Sequence, residues 1–118
     1  MTEKDFWSFL KQKGRADMMS GSITTGDVVI DAATAYIGGH ALLPKNFESI
    51  TEDEIESLGE LLFQKNIELK TKEAIIILLA HQVSDSALAI LTKFNLNPGM
   101  ELESFARLAL DESLMWNA

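Results

Sequence analysis

Few residues in this chain are suited to chemistry. It has two histidines, His40 and His81, no cysteine, and eighteen carboxylates. The lack of cysteine excludes disulfides, thiolate nucleophiles, iron–sulfur clusters and cysteine-ligated zinc. A zinc site built on histidine needs three or four ligands. The two histidines stand far apart, with no H-x-x-x-H or H-E-x-x-H spacing, so carboxylates would have to complete the shell. His40 follows Gly38-Gly39 in a turn, where functional side chains are common. His81 follows the apolar run Ala74 to Ala80. It has the chemistry of a general base or a ligand, but at a helix end its charge simply suits the negative C-terminus. The expectation is therefore no catalytic residue, no metal and no cofactor.

Two other patterns have chemical content. GSITTG spaces Gly21 and Gly26 as in a phosphate-binding loop, but Asp27 stands where lysine should neutralise phosphate, and that reading is rejected. Glu52, Glu56 and Glu60 recur every four residues. Like charges at that spacing repel by a few tenths of a kcal/mol per pair, a cost that suggests a row for docking a basic surface. Trp7 near one end of the chain and Trp116 near the other offer large apolar faces to a partner or a second copy. The candidate partner-binding residues are thus Glu52, Glu56, Glu60, Trp7 and Trp116.

The elements that must position these residues read as helices. Thr2 caps an amphipathic helix over 3–13 that carries Phe6, Trp7, Phe9 and Leu10 and stops at Gly14. RADMMSGSITTG is a polar link with room for one turn near Met18. Residues 26–37 mix β-branched Val28, Val29 and Ile30 with a helical stripe, and helix is preferred, with Thr25 as its cap. HALLPKNFES is a turn or short irregular helix. Thr51 and Glu54 form a capping box, with Ile50 and Ile55 as a hydrophobic staple around it. Ile55, Leu58, Leu61 and Leu62 then share one face. Thr71 is read as the start of a helix that is apolar on nearly every side, which marks a buried central helix. Ser84 or Asp85 caps its successor over 85–95. Asn97-Pro98 supplies a cap and first-turn proline for a last helix over 99–116.

One domain fits 118 residues. Residues 1–50 form its less regular N-terminal stretch, and 51–116 hold two helix-hairpin units. The longest apolar run has seven residues against the roughly 20 needed to span a bilayer, so no membrane segment is expected. The N-terminus has no apolar signal core, and a reducing, cytoplasmic setting fits the missing cysteine. The net charge of −8 lies mostly after residue 50, where five Lys/Arg meet twelve Asp/Glu. That balance argues against nucleic acid and permits a basic protein partner.

A shift of 32 residues superposes Ile55, Leu58 and Leu62 on Ala87, Ile90 and Phe94, and Ala74 and Leu78 on Ala106 and Leu110. Two helices per unit at such a period resemble HEAT-like or armadillo-like helical repeats over 51–116. The resemblance implies a protein-binding scaffold and carries over no catalytic residue. The fold class expected is all-α, a compact helical bundle or short α-solenoid of about five to seven helices in antiparallel hairpins. An α+β alternative with strands near 23–30 and 66–70 stays open. The function expected is a non-enzymatic protein-interaction module that takes a basic partner or a second copy. Its rivals are an acidic inhibitor or immunity-type protein, and a small enzyme using His40 or His81 with a carboxylate.

Overall fold

The computed structural model describes residues 1–14, 28–40 and 43–118, with the backbone alone at 28–32 and at Gly39. The described elements are helices α1 (Glu3–Gln12), α2 (Val28–Gly39), α3 (Glu52–Leu62), α4 (Leu69–Ala80), α5 (Asp85–Phe94) and α6 (Glu103–Trp116), with a 3-10 turn at Phe47–Ser49. The described residues contain no strand. Residues 28–30 are helical and 69–70 open α4, which removes the α+β alternative there. The polar link, the GSITTG spacing and the Thr25 cap lie outside the described residues. The molecule is an all-α bundle measuring 38 × 30 × 29 Å.

Helix α4 is its centre. Thr71 and every residue from Ala74 to Ala80 are buried, and α2, α3, α5 and α6 all pack against α4. An unbroken apolar sequence on a helix can be buried only if neighbours cover every side. The neighbours supply matching stripes: Ile55, Leu58, Leu61 and Leu62 on α3, Ala87, Leu91 and Phe94 on α5, and Phe105, Ala106 and Ala109 on α6. Gly59 lets α5 approach α3 closely, since a Cβ there would stand 2.7 Å from Ile90 Cδ1.

Three helix starts follow their caps. The Asp5 N–H donates to Thr2 Oγ1 at 3.1 Å, Glu54 N–H to Thr51 Oγ1 at 3.2 Å, and Ala87 N–H to Ser84 Oγ at 3.2 Å. Two starts differ from the sequence reading. Helix α4 begins at Leu69, not Thr71, and its N-cap Glu68 makes no side-chain cap bond. Glu3 of α1 serves instead. Its carboxylate accepts the Glu68 N–H at 3.2 Å and the Thr71 hydroxyl at 2.5 Å. A carboxylate at a helix N-terminus is favoured whichever segment of the chain brings it. Thr71 is therefore a buried link between helices and not a cap. Asn97-Pro98 starts no helix either. The chain turns through Gly99 (φ 81°), and α6 begins only at Glu103, after the buried Leu102. Burial of Leu102 outweighs the local capping preference.

Leu78 is 1% exposed in the buried apolar run of α4. Leu78→Ala should cost about 2–5 kcal/mol in chemical denaturation, and a loss below about 1 kcal/mol would deny α4 its central place. Thr51→Ala should cost about 1 kcal/mol and Thr51→Ser much less, because serine keeps the accepting oxygen. Glu73 is half-buried on α4, and burial raises its carboxyl above the ordinary range, with nearby Lys70 partly opposing that. A carboxyl raised in the fold is penalised once ionised, so its burden on stability is absent below the unfolded pKa and grows as pH rises through the folded one. Glu73→Gln should thus be more stable than wild type at neutral pH, and the gain should vanish on acidification. A gain independent of pH would assign it to packing.

Candidate functional site

Two helix ends are built alike. His40 comes immediately after α2, and His81 immediately after α4. His40 Nδ1 lies 2.7 Å from the Tyr36 carbonyl oxygen, and His81 Nδ1 lies 2.8 Å from that of Ile77. Each ring reaches back four residues to a last-turn carbonyl that has no partner within its own helix. A carbonyl only accepts, so both Nδ1 atoms carry the hydrogen. That assignment leaves both Nε2 atoms for something else.

Both Nε2 atoms face Glu112, on α6. His40 Nε2 is 3.2 Å from Glu112 Oε1, and His81 Nε2 is 3.0 Å from Glu112 Oε2. The carboxylate presents one oxygen to each imidazole. The Tyr36 hydroxyl also donates to Glu112 Oε1. Burial, then the bond to Glu112 and its charge, push the Tyr36 hydroxyl far above its ordinary pKa, so it stays a proton donor. The rings stack edge to face, with centroids 5.0 Å apart for Tyr36 and His40 and 4.9 Å for the two histidines. The side chains of His40, His81 and Glu112 are 33%, 7% and 20% exposed. The group is enclosed but open on the His40 side.

Its electrostatics favour a cation. The negative ends of two helices of twelve residues meet the carboxylate there. When both imidazoles are neutral, their Nε2 lone pairs oppose those of the carboxylate.

His81 also borders a cleft of about 280 Å³. Phe47, Ile50, Val83 and Trp116 give it apolar walls, and Glu48 and Glu52 add acidic groups. Two side-chain amides hold the walls in place. Gln82 donates to the carbonyls of Phe47 (2.9 Å) and Leu78 (3.1 Å). Asn117 donates to the carbonyl of Gln82 (3.1 Å) and accepts the Ser84 N–H (2.9 Å). The end of α6, which carries Trp116, is thereby tied to the turn between α4 and α5. Ser84 Oγ, while capping α5, donates to Glu52 Oε2 at 3.1 Å.

The residues singled out in the sequence separate into groups. Glu52 and Trp116 share this cleft. Glu56 and Glu60 are exposed on α3 as an acidic row should be, but they flank a different groove, with Phe63, Ile90 and Lys93. Trp7 belongs to neither. It is half-buried against the core, and its indole N–H donates to Thr71 Oγ1 at 3.3 Å. His40 and His81, which read from sequence as separate, meet. Sequence reasoning misses Glu112 and Tyr36. The requirement that carboxylates complete any histidine site is the one signal, and nothing in the spacing selects Glu112 from the other acids. Compared with known proteins, the chain matches no protein family, no curated protein and no solved structure.

Proposed function

We propose that the chain is a non-enzymatic protein-interaction module that docks a basic segment with an apolar neighbour in the cleft beside Trp116. One observation carries this reading. Glu52, notable for its charge, and Trp116, notable for its apolar face, line the same cleft although they are distant in sequence. Tryptophan is among the commonest interface anchors, and half of Trp116 remains exposed, as does most of Val83. Glu48 and Glu52 suit lysine or arginine, in keeping with the net charge of −8. The same charge disfavours nucleic acid. No described helix is long and apolar enough to cross a membrane, and a cytoplasmic setting belongs to the proposal. An acidic inhibitor or immunity-type protein would use the same surface against a basic target. The rival in which His40 or His81 does chemistry is favoured by a separate observation, the convergence of both on Glu112.

A displayed library of random peptides, selected on the intact chain, tests the docking reading. The enriched peptides should place Lys or Arg beside an aliphatic or aromatic residue. Trp116→Ala should weaken their binding by about 2 kcal/mol or more, mainly through faster dissociation. Glu48→Gln with Glu52→Gln should slow association at low salt, and added salt should shrink the difference, since charges are screened over about 8 Å at physiological ionic strength. Glutamine at 52 can still accept from Ser84, so the fold should persist. Glu56→Gln with Glu60→Gln should change little. Enriched peptides without a basic residue, or binding that ignores Trp116, would overturn the proposal. A dimer in sedimentation that Trp116→Ala dissolves would give the cleft to a second copy.

A further inference from the structure

We infer that His40, His81 and Glu112 form a binding site for one divalent transition-metal ion, with zinc the best-fitting test metal. The site does not depend on the docking proposal. One donor atom from each residue lies within 4.8 Å of the other two. The imidazole–carboxylate separations are 3.2 and 3.0 Å. Tetrahedral zinc, with bonds of about 2.0–2.2 Å, sets neighbouring donors about 3.3–3.6 Å apart. At each imidazole–carboxylate contact the donors need to part by only a few tenths of an ångström, and because the two contacts use different Glu112 oxygens, the carboxylate binds through both or turns to bring one oxygen to both nitrogens.

The surroundings point to a metal more specifically than the distances do. Metal-bound histidine usually donates its other ring N–H to a carbonyl, carboxylate or water, which fixes the tautomer and the ring. Both histidines do so here, to the carbonyls of Tyr36 and Ile77. Ligating carboxylates are likewise hydrogen-bonded from outside the shell, and the Tyr36 hydroxyl donates to Glu112. A divalent ion satisfies both nitrogens and the carboxylate together, and the two helix ends add favourable field. Two nitrogens and an oxygen favour zinc and its first-row neighbours over magnesium or calcium, which prefer oxygen alone. Three protein ligands leave a fourth position for water.

The test is titration of the untagged chain with Zn²⁺ by calorimetry, and with Co²⁺ by visible absorption. One ion per chain is expected, with an intense absorption band typical of four-coordinate cobalt and a rise in thermal midpoint with added zinc. Glu112→Gln, which keeps shape and the Tyr36 bond, should weaken zinc binding at least tenfold, as should His40→Ala. Tyr36→Phe should weaken it about tenfold from outside the shell. Glu56→Gln with Glu60→Gln should leave affinity unchanged, and excess Mg²⁺ should not compete. Should His40→Ala disturb folding, as read by circular dichroism, His40→Gln replaces it. Absence of saturable one-to-one binding overturns the site. So does affinity that is unchanged in well-folded Glu112→Gln and His40 variants.

Discussion

The structure depends on the burial of the run Ala74–Ala80 of helix α4. Seven consecutive apolar residues, Ala74 to Ala80, are buried on every side of that helix. A helix of this kind gains roughly 25 cal/mol for each Å² of apolar surface removed from water. It realises that gain only when neighbours cover its whole circumference. Helices α2, α3, α5 and α6 supply the cover, and their apolar stripes are sized for it.

A helix also leaves its terminal amides and carbonyls without partners inside it, and these need partners from elsewhere. The polar features of the molecule answer that need. At the start of α4, Glu3 from α1 accepts from Glu68 and Thr71. At its end, His81 and Gln82 turn back to the carbonyls of Ile77 and Leu78. Asn117 then secures the following turn from the end of α6. The histidine that draws chemical interest is thus first a solution to a backbone problem. Its ring is oriented by that solution, and Nε2 is left aimed at Glu112.

The same constraint explains why the candidate site and the candidate docking cleft adjoin. Both form where the end of α4 comes to the surface between α6 and the turn holding Phe47. His81 borders both: one ring nitrogen faces Glu112, and its ring lies 6.3 Å from that of Trp116. Whatever binds in the cleft would therefore lie next to the histidine–carboxylate group.

By itself the sequence determined what depends on near neighbours in the chain. The caps at Thr2, Thr51 and Ser84 are local side-chain-to-backbone bonds within three residues, so short patterns reveal them. The uniform hydrophobicity of 74–80 marks a central helix for the same reason, since it needs no knowledge of which partners cover it. Tertiary structure decided the rest. The start of α4 escapes local reading because its capping carboxylate comes from Glu3, in another helix. The start of α6 escapes it because Leu102 is held by the core while Asn97-Pro98 offers only a local preference. Of the site, both histidines are visible in the sequence as residues with chemical capacity. Their meeting is not, because it depends on how the ends of α2 and α4 pack against α6. Many of the eighteen carboxylates sit on helices. Among the described residues, only the packing of α6 against α2 and α4 sets Glu112, and no other acid, between His40 and His81.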